Sequence, residues 1–318
     1  MQPLVSVICL CYNHAQFLTE ALDSVLSQTY RPLEIMVVDD ASTDNSAALL
    51  QNYVAQHPEL KLILNKENQG NCRAFNQALT LATGEFIIDF ATDDVLLPTR
   101  IAEQVNAFER LDNSYGVVYT NAELIDEKSS SLGNFYKCDR KGNLTPTVAT
   151  GNIYAAVLQR FFICSPTLMI RKDVFTKLNG YDESLAYEDF DLIVRAARDY
   201  QFYYLDKVLT QRRLHANQLS KGWYKVGDKQ LLSTIKVCRK ALALNRTETE
   251  NKALITRVEW EIKQAFFTKN YDEAEQLFRI LKELRPLTGL YWFMQLLVKA
   301  RVDLSFIHRV YYKLVHKR

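Results

Sequence analysis

The sequence predicts an α/β fold in which a mostly parallel, doubly wound sheet is flanked by helices and is followed by an all-helical C-terminal extension. Continuous apolar, β-branched runs recur at Val5–Leu10, Leu33–Val38 and Glu85–Phe90, as in strands that are covered on both faces. Segments with a helical period lie between these runs, so strand and helix alternate. From about Trp223 the pattern becomes wholly helical.

The individual elements follow from local patterns. Ala15–Leu26 repeats apolar residues at helical spacing, and Ser46–Val54 follows a polar cluster that can cap the start of a helix. Weaker strands are predicted at Leu60–Leu64, Gly116–Thr120, Pro166–Ile170 and Phe202–Leu205. In the helical region, Thr247–Glu250 and Asn270–Glu273 are spaced like N-terminal capping boxes.

A domain boundary is expected near residue 222, which separates a domain of residues 1–222 from a helical region of residues 223–318. Within that region, Asn270–Pro286 resembles half of a tetratricopeptide unit. Arrays of this kind need about three repeats to bury a core, so one copy does not predict an array.

Composition restricts the class of protein. The 318 residues are 48% hydrophobic and 24% charged, as in globular proteins, and a net charge of +2 gives no reason to expect nucleic acid as a partner. The six cysteines form no C-x-x-C pair and are expected to be reduced. No apolar run reaches the roughly 20 residues of a spanning helix. We therefore expect a cytoplasmic protein, in free solution or peripheral at the inner face of the membrane.

Polar residues follow three of the predicted strands. Tyr12 and Asn13 follow the first strand. The acidic pair of Asp39 and Asp40 ends the second strand, and the acidic pair of Asp93 and Asp94 follows the strand that begins at Glu85. Each acidic pair by itself could equally be a turn that caps the next helix. Parallel strands, however, place their carboxyl ends at one edge, where gathered carboxylates repel unless a ligand or a cation compensates. Mg²⁺ or Mn²⁺ bridging a diphosphate would do so.

The first strand is followed neither by the G-x-G-x-x-G turn of dinucleotide-binding folds nor by a P-loop. A nucleotide would therefore be held by other groups. Six segments resemble those of the inverting glycosyltransferase family 2, which has the GT-A fold, over about residues 3–220. These segments are Val5–Asn13, Leu26–Thr29, Val37–Asp44, Asn68–Gly70 with Asn76, Thr83–Glu85 and Ala91–Asp94.

The resemblance implies a nucleotide-sugar donor and assigns residues to it. Tyr12 and Asp40 would contact uracil or thymine, Asn13 would shape that pocket, and Asn76 would belong to the donor site. A UDP- or dTDP-sugar is the donor expected on this basis.

The resemblance also implies Mn²⁺ or Mg²⁺ as cofactor. Asp94 would be the direct metal ligand, and Asp93 would face the ribose or the sugar of the donor. His215 lies in a segment similar to the late R-x-H motif of the family and would complete the metal shell. A structural role for this histidine is an equal alternative.

The acceptor side is implied by two further segments, Gly180–Glu183 and Glu188–Asp189. Asp189 would be the general base, beside Glu188. Its predicted place in the first turn of a helix agrees with this role, because the helix dipole favours an ionised carboxylate. Without the resemblance, the pair would be interpreted as solvated acids of a first turn.

The implied reaction is non-processive, because the Q-x-x-R-W signature of processive synthases is missing and no membrane helices accompany the catalytic part. The acceptor would be a saccharide or a lipid-linked saccharide in bacterial polysaccharide, O-antigen or capsule assembly. One alternative class is a non-catalytic sugar-nucleotide-binding or scaffold protein on the same fold. Another is a nucleotidyltransferase, but the Gly-rich basic phosphate loop expected of that class does not follow the first strand.

The end of the chain carries local positive charge. From Leu287 to Arg318 there are six Lys or Arg residues and one Asp. On a helix, Ile307, Val310 and Leu314 would share one face, which is typical of a helix that lies on anionic lipid. The alternative is a terminal helix that packs this face onto the protein.

Overall fold

The structure is a computed structural model, and it describes residues 2–139, 144–215 and 224–306. The chain divides into two compact units. Unit 1 comprises residues 1–153, 162–183 and 191–219, and unit 2 comprises residues 154–161, 184–190 and 220–318. Unit 2 thus includes two short segments from the predicted N-terminal domain, and the predicted boundary near residue 222 stays a prediction.

Unit 1 is built on a mixed sheet. Its strands are β1 (Val5–Cys11), β2 (Leu33–Asp39), β3 (Leu60–Leu64), β4 (Phe86–Ala91), β5 (Val95–Leu96), β6 (Tyr115–Ile125), β7 (Ser131–Asn134), β8 (Lys137–Cys138), β9 (Leu144–Thr145), β10 (Met169–Arg171) and β11 (Gln201–Arg213). The main sheet has the order β3-β2-β1-β4-β10-β6-β11-β5, with β7 beside β6, and β8 pairs with β9 separately.

The predicted fold class is confirmed. Strands β3, β2, β1 and β4 are parallel, and so are β6 and β11. Strand β10 lies between these two groups and is antiparallel to both of its neighbours. The parallel part is therefore interrupted, and only the first group forms the regular strand-helix alternation that the sequence predicts.

The helices lie between the strands and then follow one another at the C-terminal end. They are α1 (Leu18–Leu26), α2 (Ser46–Gln56), α3 (Asn71–Leu79), α4 (Arg100–Phe108), α5 (Tyr154–Gln159), α6 (Lys172–Leu178), α7 (Asp189–Ala197), α8 (Lys229–Leu244), α9 (Glu248–Phe267), α10 (Tyr271–Leu284) and α11 (Gly289–Lys299). Of these, α5 and α8 to α11 belong to unit 2. Among the described residues, no helix combines the length and apolar character needed to cross a membrane.

The core of unit 1 explains why β1 is apolar throughout. Val7 and Cys9 are fully buried in one cluster with Leu22 of α1 and Val105 of α4. Successive strand residues alternate between the two faces of the sheet, so Ile8 points to the opposite face, where it is also buried. Burial on both sides leaves no solvent-facing position in this strand.

One predicted strand, Pro166–Ile170, begins later in the structure than the sequence indicates. The segment Pro166–Ile170 was expected to be extended, but Ser165–Thr167 forms a 3₁₀ turn and β10 begins only at Met169. Proline cannot donate a backbone hydrogen bond to a neighbouring strand, and it fits the first positions of a helical turn.

The two predicted capping boxes differ in outcome. At the start of α9, Thr247 Oγ1 accepts from the Glu250 amide at 3.3 Å and Glu250 Oε2 accepts from the Thr247 amide at 3.1 Å, which confirms the box. At the start of α10 the prediction is wrong, because Asn270 makes no side-chain cap. Its Oδ1 accepts from the Gly227 amide at 2.8 Å, and its amide nitrogen donates to Thr268 Oγ1 at 2.8 Å.

Glu261 makes the stability of unit 2 dependent on pH. Its side chain is buried on α9, and burial raises its pKa to about 7, against the opposing effects of Arg257 at 3.3 Å and the Tyr224 hydroxyl at 3.2 Å. Since this pKa exceeds the ordinary value of 4.5, the folded state holds the proton more tightly. The stabilising contribution is complete below about pH 4.5 and is lost as the pH rises through about 7.

We therefore expect the free energy of unfolding of wild type to fall by up to roughly 3 kcal/mol more than that of Glu261→Gln when the pH rises from about 4.5 to about 8. Each pKa unit corresponds to about 1.4 kcal/mol. Gln does not ionise, so the comparison isolates this carboxyl. Urea unfolding of both proteins at the two pH values measures the difference. An equal pH dependence of the two midpoints would contradict the prediction.

Candidate functional site

The carboxyl ends of β1, β2 and β4 meet at one edge of the sheet, as predicted. Cys11 pairs with Asp39 and Leu10 pairs with Ala91 in parallel register. Beyond the strands, the Asp40 amide donates to Cys11 O at 2.9 Å. The residues that follow these three strands therefore lie side by side.

Tyr12 and Asn13 form the loop after β1. Asn13 adopts φ 58°, in the left-handed region that asparagine tolerates better than most residues. Its Oδ1 accepts from the Thr43 amide at 2.7 Å, and its own amide donates to Ser42 Oγ at 2.9 Å. The side chain of Asn13 thus ties the loop after β1 to the loop after β2. The Tyr12 side chain is 44% exposed, so its aromatic ring is accessible to solvent at this edge.

Asp40 organises the loop that precedes α3. Its carboxylate accepts from the Gln69 amide at 3.0 Å, the Gly70 amide at 2.8 Å and Asn65 Nδ2 at 2.9 Å. An ionised carboxylate offers about four acceptor positions. Three donor groups occupy most of these positions, and about one position is left for a further donor such as a base. The predicted base contact stays a prediction.

Asn76 connects α3 to the segment before α7. Its Nδ2 donates to Tyr181 O at 2.9 Å and to Glu183 Oε1 at 3.1 Å, and its Oδ1 accepts from the Tyr181 amide at 2.9 Å. A Cβ atom at Gly180 would lie 2.5 Å from that oxygen, so only glycine permits this approach. These contacts place Asn76 in a supporting role for residues 180–183, whereas its predicted contact with the donor is untested.

Asp93 and His215 form a pair just beyond β4. Asp93 Oδ2 lies 2.9 Å from His215 Nε2. Asp93 Oδ1 is buried and has no hydrogen-bond partner among the residues that the structure describes. Burial acts to raise the pKa of Asp93, but the hydrogen bond with His215 and the charges of His14 and His215 outweigh it and lower that pKa. Asp93 is therefore an ionised carboxylate with one oxygen available.

Asp94 lies in a different environment. It is 3% exposed, and its Oδ1 accepts from the backbone amide of Arg213 at 2.8 Å. Burial, together with the charge of Asp93, raises the pKa of Asp94 well above its ordinary value. The sequence assigned the direct metal contact to Asp94, but the available oxygen belongs to Asp93.

Arg213 holds this edge together. Its guanidinium is 1% exposed and donates to Asp93 O at 2.8 Å, Asp126 O at 3.0 Å, Ser129 Oγ at 3.0 Å and Glu20 Oε2 at 2.6 Å. These partners belong to the loop after β4, the turn between β6 and β7, and α1. One arginine thus fixes three elements around the pair of Asp93 and His215, a role that the R-x-H resemblance did not assign.

His14 is a further residue that the sequence did not assign. Its Nδ1 lies 3.0 Å from Thr92 Oγ1, and its ring centroid is 6.3 Å from that of His215. Burial lowers the pKa of His14, although the charge of Asp93 opposes this effect. Its position directly after Asn13 was the available signal, because residues at the carboxyl end of β1 face the edge.

Asp93 and His215 offer a carboxylate and an imidazole to a divalent metal that also binds the phosphates of a substrate. Across residues 2–139, 144–215 and 224–306, no group of three or more His, Cys, Asp or Glu side chains is arranged to hold a metal ion. Mg²⁺ does not need such a cage, because it usually binds one or two carboxylates plus the phosphates of a substrate. The unpartnered oxygen of Asp93 beside an imidazole suits a metal that is shared with a bound diphosphate.

Glu188 and Asp189 belong to unit 2. Asp189 begins α7, and its Oδ1 accepts from the amide of Phe190 at 2.7 Å. Both acids are half-buried and take part in further polar interactions. The predicted position of Asp189 in a first turn is confirmed, while its role as a base stays a prediction.

The sheet order, together with the carboxylate and histidine beyond β4, defines the class of GT-A-like proteins. The chain belongs to glycosyl transferase family 2, whose family model matches residues 6–175.

Curated relatives agree with this family. An uncharacterized glycosyltransferase of Rickettsia typhi is 36% identical over 217 residues, which cover 68% of this chain and 65% of that protein. A second one, from Rickettsia felis, is 34% identical over 69% of this chain and 35% of its own length. Chondroitin synthase of Escherichia coli is 29% identical over 69% of this chain and 30% of its own length. The chain thus spans about one third to two thirds of these relatives.

Solved structures show the same fold. S. aureus TarS in complex with UDP-GlcNAc matches with a TM-score of 0.68 and 18% identity, over 93% of this chain and 87% of that one. The mannosyltransferase PcManGT from Pyrobaculum calidifontis, in complex with GDP-Man and Mn²⁺, matches with a TM-score of 0.57 and 19% identity, over 98% and 83% of the two chains.

Proposed function

We propose that the protein is a metal-dependent, inverting and non-processive glycosyltransferase, which moves one sugar from a nucleoside-diphosphate sugar to an acceptor hydroxyl. The observation that carries this proposal is Asp93 Oδ1, a buried carboxylate oxygen without a hydrogen-bond partner among the described residues, at the edge where three parallel strands end. The other oxygen of the same carboxylate, Oδ2, lies 2.9 Å from His215 Nε2. A shared metal and diphosphate would satisfy Oδ1.

The donor site is assigned to residues of unit 1. Tyr12 supplies an exposed ring on which a pyrimidine base can stack, and Asn13 holds the loop that carries this ring. Asp40 is assigned to the base contact, and its carboxylate also holds the loop at residues 65–70. We propose a UDP- or dTDP-sugar as donor, and the nucleotide-sugar complexes of TarS and PcManGT support a nucleoside-diphosphate sugar on this fold.

Asp93 and His215 would hold Mn²⁺ or Mg²⁺, which when bound neutralises charge that grows on the departing diphosphate. Asp94 supports this pair from below, since it binds the backbone of Arg213. This assignment gives the direct metal contact to Asp93, whereas the sequence resemblance gave it to Asp94.

Asp189 is proposed as the general base. It takes the proton of the acceptor hydroxyl as the hydroxyl oxygen forms a bond to the anomeric carbon, while the bond from that carbon to the diphosphate oxygen breaks. Attack from the face opposite the leaving group inverts the configuration. The position of Asp189 at the start of α7 supports the ionised form that a base requires.

The products of the reaction test this function. Purified protein, a panel of UDP-, dTDP- and GDP-sugars, Mn²⁺ and simple saccharide acceptors should yield nucleoside diphosphate and a glycosylated acceptor of inverted anomeric configuration. Release of pyrophosphate would indicate a nucleotidyltransferase instead. Donor-induced thermal stabilisation without any turnover would indicate a sugar-nucleotide-binding protein.

The proposed setting is the cytoplasmic assembly of a bacterial polysaccharide, O-antigen or capsule, with a saccharide or a lipid-linked saccharide as acceptor. The similarity to a chondroitin synthase supports a polysaccharide product.

A further inference from the structure

Helix α11 carries apolar side chains on two opposite sides. Tyr291, Met294 and Val298 are buried in unit 2, where α11 contacts α10. Trp292 and Phe293 are 56% and 53% exposed. A helix that is apolar all round is normally buried all round, so the second side of α11 indicates a further contact.

The exposed side is continuous. We call Leu290, Trp292, Phe293 and Leu296 the α11 face; each of these side chains is at least 45% exposed. At 100° per residue, the last three lie within one arc of the helix, opposite Met294 and Val298. Scattered apolar residues are normal on a protein surface, but a contiguous set of large ones marks an interaction site.

Charge around the α11 face favours an anionic partner. No Asp or Glu occurs between Pro286 and Val302, and Lys299 ends the helix. The acidic side chains that lie nearest in sequence are engaged with basic groups: Asp303 with Lys269 at 2.5 Å, and Glu283 with Arg239. No carboxylate in this stretch would therefore repel a negatively charged surface.

The chemistry of the side chains favours lipid over protein. Tryptophan and phenylalanine insert at the boundary between headgroups and acyl chains, where the ring is apolar and the indole N–H stays hydrated. Basic residues attract the anionic headgroups around them, at about 1 kcal/mol for each near the surface. In the described part of the chain from Pro286 onward, Lys299 and Arg301 stand against one acidic residue, Asp303.

We propose that the α11 face is a docking surface for an anionic lipid bilayer, with Trp292, Phe293 and Leu296 inserted into the headgroup boundary. The sequence predicts membrane contact for the C-terminal segment that begins at Leu287, with one helical face at Ile307, Val310 and Leu314, which lie outside the described residues. Within that segment, the proposed contact is made by α11. The contact is independent of the proposed transfer reaction, since it uses none of the residues assigned to donor, metal or acceptor.

Vesicle sedimentation of the full chain tests the proposal. At low salt, the protein should sediment with vesicles of equal parts phosphatidylglycerol and phosphatidylcholine but not with phosphatidylcholine alone, and salt should release it. The double variant Trp292→Ser/Phe293→Ser should bind the anionic vesicles at least about tenfold more weakly, because each ring loses apolar burial. The matched control is Trp260→Ser, which removes a 49% exposed tryptophan of α9 and should bind like wild type.

Three results would overturn the proposal. The first is no binding of the wild-type chain to anionic vesicles at low salt. The second is equal binding by the double variant and by wild type. The third is a dimer in light scattering that the double variant converts to monomer while vesicle binding is unchanged, which would assign the α11 face to a second copy. Thermal unfolding of both variants confirms that a loss of binding does not come from a loss of folding.

Discussion

Asp93→Asn is expected to remove divalent-metal binding and to lower the rate of sugar transfer by about 10²–10³-fold, because a metal that stabilises a departing diphosphate contributes several kcal/mol. The amide keeps the size of the side chain and can still bond to His215, so the fold should persist. Two measurements apply: the initial rate of nucleoside diphosphate release at saturating Mn²⁺, and the binding of Mn²⁺ in the presence of nucleoside diphosphate, followed by electron paramagnetic resonance.

Asp94→Asn is the matched comparison. Asp94 is buried and accepts a hydrogen bond from the Arg213 amide, which an asparagine oxygen can also accept. This variant should keep most of its affinity for Mn²⁺. The opposite pattern, in which Asp94→Asn loses the metal and Asp93→Asn keeps it, would show that Asp94 is the metal ligand, as the sequence resemblance assigned it.

The sequence predicts the sheet well where burial dictates composition. Strands β1 and β2 are covered on both faces, so each leaves a continuous apolar run in the sequence that can be recognised without any tertiary information. Strand β10 has only three residues and lies antiparallel between parallel neighbours. So short a strand carries no periodicity, and its direction depends on the path of the chain.

The position of the site was predictable from the strand ends, whereas the choice of Asp93 or Asp94 as metal ligand stays a prediction that depends on tertiary contacts. Strand ends place Asp93 and Asp94 at the edge, but the tertiary partner of each decides which carboxylate oxygen is left without a hydrogen bond. That partner is an amide of β11 for Asp94 and an imidazole for Asp93. Both partners come from residues about 120 positions later, a separation that local sequence patterns do not report.

Asn76 shows the same limit. Its place in a motif predicts a contact with the donor, which stays a prediction, and the structure adds that its side-chain amide binds the backbone of Tyr181 in both directions. A motif identifies residues that a fold or a function requires and does not separate these two requirements. Arg213 is the corresponding case on β11, where a buried guanidinium joins three elements of unit 1.

Asp189→Asn is expected to lower the rate of transfer by about 10²–10⁴-fold, the usual cost of losing a general base, while the affinity for the donor barely changes. Asparagine keeps the shape of the side chain, and its oxygen can still accept from the Phe190 amide. The loss should therefore appear in kcat and not in donor affinity. Steady-state rates, with donor affinity from calorimetry, measure both quantities.

Two neighbouring acids serve as controls for Asp189. Asp191 is 1% exposed and binds Arg195 at 2.7 Å, so Asp191→Asn should lower thermal stability more than it changes kcat. Glu188→Gln leaves the start of α7 intact and should cost less than Asp189→Asn if Glu188 only assists. Turnover of Asp189→Asn within a few-fold of wild type, together with a large loss in Glu188→Gln, would move the base by one residue and refute the assignment to Asp189.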